Sequence, residues 1–201
     1  MPPKFNRFVR FFLIAITLLG SAVAQGQSTP LTSAPFVLAR ASAANTIAVQ
    51  ADGKYIVGGF FNVIAGAARG GVARFNVDGT LDSTWNPGAN GDVTQAVHVG
   101  GLTYILGTFT SVGGVARNGL AAIDGSGQVT AFNPAIDTPP IAIAATATTV
   151  VVAGFFSQVG GQARNGLAAL DTAGNVLPWA PEPDDAAGQI MFAGNELIVA
   201  G

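Results

Sequence analysis

The sequence contains no cysteine, so neither a disulfide framework nor a thiolate metal site is available to it. Charge is scarce too: 10% of the residues are charged, against about 25% in an average globular domain. Histidine occurs once, as His98, which rules out a centre built from several imidazoles. Three of the nine basic residues, Lys4, Arg7 and Arg10, sit at the extreme N-terminus. From Gln25 onward six basic residues face eleven acidic ones, a net charge of −5. Binding to a phosphate backbone needs clustered Lys and Arg, so nucleic acid is not an expected partner. Long apolar runs are also missing. The run at residues 11–24 has 14 residues and includes Gly20 and Ser21, short of the roughly 20 that a spanning helix needs. Residues 141–154 come nearest elsewhere, but threonines break that stretch and it aligns with a repeat.

Glycine is abundant, 27 of 201 residues, against a usual share of about 7%. Its distribution follows a motif written three times. The first copy reads Gly58-Gly59-Phe60-Phe61, then Gly71-Val72-Ala73-Arg74-Phe75-Asn76, and ends Trp85-Asn86-Pro87. The second has Gly107-Thr108-Phe109, Val112-Gly113-Gly114, Arg117-Asn118-Gly119-Leu120-Ala121-Ala122-Ile123-Asp124 and Phe132-Asn133-Pro134. The third has Gly154-Phe155-Phe156, Val159-Gly160-Gly161, Arg164-Asn165-Gly166-Leu167-Ala168-Ala169-Leu170-Asp171 and Trp179-Ala180-Pro181. Phe61 and Phe109 are 48 residues apart, Phe109 and Phe156 are 47 apart. A fixed period of this length marks a repeat architecture.

Each unit resolves into four short strand signals. In the first, residues 47–50 and 54–60 flank the Asp52-Gly53 turn, a strong hairpin signal. A glycine-rich loop at 62–70 leads to a third strand at 72–76. The Asp78-Gly79 turn then leads to a fourth at 80–85, which Pro87 stops because it has no amide donor. The expected fold is all-β, a β-propeller of four-stranded antiparallel blades near 47–87, 94–134 and 141–181. A partial fourth blade follows at 188–201, and the ring is incomplete. A parallel β-helix is the competing reading, but its coils are much shorter and lack paired hairpin turns.

Residues 1–24 read as a secretory signal peptide. Lys4, Arg7 and Arg10 supply its charged start, residues 11–19 its apolar run, and Ala22-Val23-Ala24 a cleavage site. The expected product is exported and has no membrane span after cleavage. Residues 25–45 read as a linker. Within it, residues 35–38 are expected to form an outer strand that completes the last blade once further units are present.

The first unit resembles the delta-60 repeat, a kelch-like family of bacterial exported β-propellers. The residues that carry this are Asp52-Gly53-Lys54, Gly58-Gly59 and the run Ala73-Arg74-Phe75-Asn76-Val77-Asp78-Gly79-Thr80-Leu81-Asp82-Ser83-Thr84-Trp85. Units two and three depart from it, with Ala122 and Ala169 in place of Arg74 and nothing matching Asp82. The resemblance implies a propeller and export, and carries over no catalytic residue and no cofactor.

Few residues qualify as a site. His98 is not repeated between units, which reads as structural rather than as a ligand or catalytic base. The segments at Asp78-Gly79, 124–127 and 171–174 offer one carboxylate each, too few for a calcium loop, and suit turns instead. Arg69, Arg117 and Arg164 recur late in the loop between strands two and three. Their forks could bond loop carbonyls within each blade, or form a ring of cations on one face. One phenylalanine of each pair at 60–61 and 155–156 is expected to pack between blades; the other could form a sugar-stacking platform. The expected function is a non-catalytic module for binding or cell-surface interaction with a protein or carbohydrate ligand. The alternatives are a hydrolase or lyase acting on extracellular polymers from a propeller rim, or a structural segment of a larger surface protein.

Overall fold

The computed structural model describes residues 42–183 and 187–201, and the expected signal peptide and the strand at 35–38 lie outside them. The first blade contains β1 (Ala43–Val49), β2 (Tyr55–Phe60), β3 (Val63–Ile64), β4 (Ala67–Ala68) and β5 (Val72–Phe75). The second contains β6 (Val93–Val99), β7 (Leu102–Gly107), β8 (Ser111–Val112), β9 (Val115–Ala116) and β10 (Leu120–Ile123). The third contains β11 (Ala142–Ala145), β12 (Thr149–Ala153), β13 (Gln158–Val159), β14 (Gln162–Ala163) and β15 (Leu167–Asp171). A hairpin of β16 (Gln189–Ala193) and β17 (Glu196–Ala200) begins a fourth. The blade sheets are antiparallel in the orders β1-β2-β5, β6-β7-β10 and β11-β12-β15.

The fourth strand of each blade is shorter than expected. It survives as one bridge per blade, Phe75 with Leu81, Ile123 with Val129 and Leu170 with Val176. In the first blade the cause is local. Asp82 takes the Thr84 amide at 3.0 Å and its hydroxyl at 2.6 Å, and this side-chain turn bends the backbone away from the ladder. In the second blade the Thr130 hydroxyl takes the Phe132 amide in a similar way, and in the third Pro178 follows Leu177 directly.

The Asp-Gly turns also differ in form from a two-residue loop. At the first, the Gly53 amide donates to the Gln50 carbonyl and the Gln50 amide to the Lys54 carbonyl. Gly53 alone has a positive φ, +83°. This is a three-residue loop with a glycine bulge, a geometry that suits strand twist as well as the two-residue turns do. The pattern repeats at Asn76 to Thr80, Asp124 to Gln128 and Asp171 to Asn175. By contrast, Gly100-Gly101 forms a two-residue turn with φ of +59° and +79°.

Blades stack face to face through apolar side chains. Ala48, Ile56 and Val72 of the first blade meet Ala96, Ile105 and Ala121 of the second. Tyr104, Leu106 and Leu120 then meet Ile143, Val150 and Val152 of the third. Ala144, Val151 and Ala169 meet Ile190 and its neighbours in the partial fourth. An aromatic from each unit clamps the next. Trp85 is buried and its indole N–H donates to the Asp124 carbonyl at 3.3 Å, while Phe132 is buried close to Gly174. Trp179, at the equivalent position, is 40% exposed, and among the described residues no outer turn of a following blade lies over it. The result is an all-β propeller arc whose ring is not closed.

Candidate functional site

Each blade has one end made of turns and another made of a small hairpin. β2 and β5 place Tyr55 and Phe75 at the turn end and Gly58 and Val72 toward the other. From that second end the hairpins β3-β4, β8-β9 and β13-β14 project. The sequence suggested only a glycine-rich loop here. The signal for a hairpin lay in the residue pairs Ala65-Gly66, Gly113-Gly114 and Gly160-Gly161. All six have φ between +50° and +76°, which is what a two-residue hairpin turn requires. The inter-blade linkers run to the same end. The Gly113 amide donates to the Gly88 carbonyl and the Gly160 amide to the Pro134 carbonyl.

The three arginines follow these hairpins, and each folds back onto its own loop. One guanidinium N–H donates to the preceding carbonyl, from Arg69 to Ala68, Arg117 to Ala116 and Arg164 to Ala163, at 2.7–2.8 Å. Arg117 and Arg164 each reach a second carbonyl 13 residues on, Thr130 at 2.6 Å and Leu177 at 2.9 Å. Those carbonyls belong to the shortened fourth strand, so the fork fastens the hairpin to the outer edge of its blade. Arg69 and Arg117 are buried, and Arg164 is half-buried. Replacing Arg117 with alanine is expected to lower stability by about 2–3 kcal/mol with no ligand present, from the loss of two charge-assisted hydrogen bonds. Thermal melts of the two proteins check this. A variant that melts with the wild type but loses a bound ligand would assign the arginine to binding instead.

The phenylalanine pairs divide as alternation requires. Phe61, Phe109 and Phe156 are buried, while Phe60 and Phe155 are 50% and 71% exposed at the base of the hairpins. Thr108 takes the equivalent exposed place in the second blade. Beside the third hairpin an open depression of about 220 Å³ is lined by Ser157, Arg164, Asn165 and Glu182 among others. The hairpin end thus combines exposed rings with hydrogen-bonding groups.

Three aspartates are committed to turns. Asp78, Asp124 and Asp171 accept amides or hydroxyls of their own loops. Hydrogen bonds from Thr80, Ser126 and Asn175 respectively hold them below the usual carboxylate range. Asp137 is lowered likewise, chiefly by the Ser157 hydroxyl at 2.6 Å. His98 contacts the Thr103 hydroxyl at 3.0 Å and the Gln50 amide at 3.4 Å. Burial pushes its pKa down, with Asp52 opposing and Arg74 adding to the shift. Among the described residues no three His, Cys, Asp or Glu side chains converge in a way that could hold a metal ion. No described helix is long and apolar enough to cross a membrane.

Fold and site together define a β-propeller with a hairpin-bearing end. A family model described as a domain of unknown function (DUF5122), beta-propeller, matches residues 50–84, which lie within the first unit. Among solved structures, the computationally designed Ika4 protein is similar, with a TM-score of 0.56 and 15% identity over 81% of this chain and 88% of that one. At that identity the likeness concerns the fold alone. The WD40 domain of Neurospora crassa Pan2 aligns with a TM-score of 0.42 and 12% identity, over 73% of this chain and 42% of that one. No curated protein matches the sequence.

Proposed function

We propose that this chain is a non-catalytic, exported propeller module of the delta-60 type whose hairpin end binds a carbohydrate polymer at or outside the cell surface. The observation that carries the reading is the pair of exposed rings, Phe60 and Phe155, at equivalent positions beside the hairpins. An exposed ring next to polar groups suits the apolar face of a sugar and its hydroxyls together. The depression lined by Ser157, Arg164, Asn165 and Glu182 adds donors and acceptors nearby. Support for a non-catalytic role comes from Asp78, Asp124, Asp137 and Asp171, whose carboxylates are spent on hydrogen bonds to turns and loops.

Adsorption of the chain to a panel of insoluble cell-wall polysaccharides tests the proposal. Phe155→Ser is expected to weaken retention about tenfold or more, the usual cost of truncating an aromatic anchor. Retention on no polysaccharide, or equal retention by the variant, would overturn the carbohydrate reading and leave a protein ligand in its place. Export has a separate test. The N-terminal residue of the product found outside the cell should be Gln25, and peptides containing Lys4 in that product would count against cleavage after Ala24.

A further inference from the structure

Three asparagines of this chain are followed by glycine: Asn90, Asn118 and Asn165. Such a pair can modify itself. The glycine nitrogen attacks the side-chain carbonyl carbon of the asparagine, a five-membered succinimide closes, and ammonia leaves. Glycine permits the approach because it has no Cβ in the way. All three asparagines are exposed, so exposure does not separate them, but hydrogen bonding does. The Gly119 amide donates to the Phe109 carbonyl at 2.9 Å and the Gly166 amide to the Phe156 carbonyl at 3.0 Å. Each bond must break before its nitrogen can attack. Among the described residues the Gly91 amide has no acceptor.

Asn90 lies in the linker ahead of β6 and holds its side chain against the start of the β8-β9 hairpin. Its Oδ1 accepts the Thr110 and Ser111 amides at 2.8 and 2.9 Å, and its Nδ2 donates to the Thr110 hydroxyl at 2.8 Å. Two backbone N–H groups on one carbonyl oxygen stabilise the negative charge that develops there during addition. The Thr110 hydroxyl lies beside the nitrogen that leaves and can pass it a proton. The third blade shows where this backbone carries the attacking atom. Asp137, 47 residues on from Asn90, accepts the Ser157 amide at 3.1 Å as Asn90 accepts that of Thr110. The next amide, that of Thr138 in the place of Gly91, lies 2.9 Å from Asp137 Oδ1. This linker therefore sets the following nitrogen against the side-chain carbonyl group. Thr138 is β-branched and crowds that approach, whereas Gly91 leaves it open.

We propose that Asn90 is a self-modification site, converted through a succinimide with Gly91 to aspartate or isoaspartate while Asn118 and Asn165 persist. The Gly91 nitrogen loses its proton and bonds to Asn90 Cγ. The Cγ–Nδ2 bond then breaks, and Nδ2 leaves as ammonia with a proton gained. Water adds to one of the two ring carbonyls, so the net change is amide and water to acid and ammonia. Opening at Cγ restores the backbone and gives aspartate, which the third blade already uses at this place as Asp137. Opening at the main-chain carbonyl routes the chain through Cγ and gives isoaspartate, which withdraws the acceptor from Thr110 and Ser111. Either product adds a negative charge at the hairpin end of the second blade.

Peptide mapping by mass spectrometry, on the full chain stored in mildly alkaline buffer, tests this. The rate at each asparagine is read in the folded protein and divided by its rate in denaturant, which cancels differences in local sequence. Breaking the hydrogen bond on Gly119 or Gly166 should slow attack about fivefold relative to Gly91. The ratio for Asn90 should therefore exceed the other two by at least that factor. Equal ratios, a higher ratio at Asn118 or Asn165, or no acid at Asn90 by the time the denatured chain has lost all three would overturn the proposal. Asn90→Asp checks the product. It is expected to melt with the wild type, because Asp137 fills the same place in the third blade. A marked fall in melting temperature would overturn aspartate as a product the fold accommodates.

Discussion

Replacing Asp82 with alanine is expected to destabilise the protein by about 3–5 kcal/mol, the cost of removing one partner from a buried ion pair. Asp82 accepts Arg74 Nε at 3.0 Å and Nη2 at 2.9 Å, and Lys54 Nζ at 2.9 Å. Arg74 is itself buried, with its guanidinium 5.3 Å from the Trp85 ring and a bond to the Gly125 carbonyl of the next blade. The alanine variant would leave that cation buried without its counter-charge, and would also lose the Thr84 turn. Chemical denaturation measures the difference. The other blades show how the position is otherwise filled. The Asp82, Thr130 and Leu177 amides donate to the Arg74, Ala122 and Ala169 carbonyls respectively, so the third blade places Leu beside Ala where the first has Asp beside Arg. The double substitution Arg74→Ala with Asp82→Leu is therefore expected to recover most of the loss, since apolar replacement of a buried pair is often neutral or stabilising. A double variant no more stable than Asp82→Ala would show that the bond to Gly125 and the Trp85 contact matter more than the pair.

The same residue gives the first blade its response to acid. The Thr84 hydroxyl is the largest influence on Asp82. Burial opposes it, and Lys54 and Arg74 add to it, with the net result that the carboxyl lies far below the usual range. A group whose folded pKa is depressed stabilises fully above its unfolded value, about 3.9 for aspartate. That stabilisation falls away as pH drops below this value toward the folded pKa. The wild type should therefore lose stability steeply below about pH 4, and Asp82→Asn should show a shallower acid limb. Identical limbs would assign acid sensitivity to the exposed turn aspartates.

The second large effect is expected at Gly107. A Cβ there would lie 1.8 Å from the Asp92 carbonyl oxygen, a backbone atom that no side-chain rotation can move. The close approach comes from the bulge between Val93 and Gln95, which brings β6 and β7 together where Gly107 faces Val93. Gly107→Ala is expected to cost about 3 kcal/mol or more, at the upper end of overpacking penalties. Gly59→Ala should behave the same way, since its Cβ would lie 2.0 Å from the Ala43 carbonyl oxygen beside an equivalent bulge. Gly154→Ala should be milder, as its nearest neighbour, Pro140 Cα, lies at 3.0 Å. Denaturation midpoints rank the three, and a Gly107 variant as stable as Gly154→Ala would contradict the bulge as the cause.

The period of 47 to 48 residues, the three inner strands of each blade and the two kinds of turn are local signals. The strands and turns depend on alternation or turn chemistry within about ten residues, and the period on their recurrence. That one phenylalanine of each pair would be buried also followed from the sequence, and the structure shows that it is Phe61 and Phe156, with Phe109 in the same place in the second blade. The rest needed partners distant in sequence. The bend at Asp82 is a local turn onto Thr84, but the ion pairs that hold its other carboxylate oxygen come from Arg74 and Lys54, 8 and 28 residues away. The arginines recur in sequence, but their second carbonyls, Thr130 and Leu177, were not legible, because a fork can reach any acceptor that folding brings within range. The exposed surfaces at Ile47 and Met191 belong to residues as apolar as their buried counterparts. Sequence alone determined that the chain would form blades of short apolar strands, and only the stacking decided which of those apolar residues are covered among the described residues, because burial is a property of neighbours and not of the residue itself.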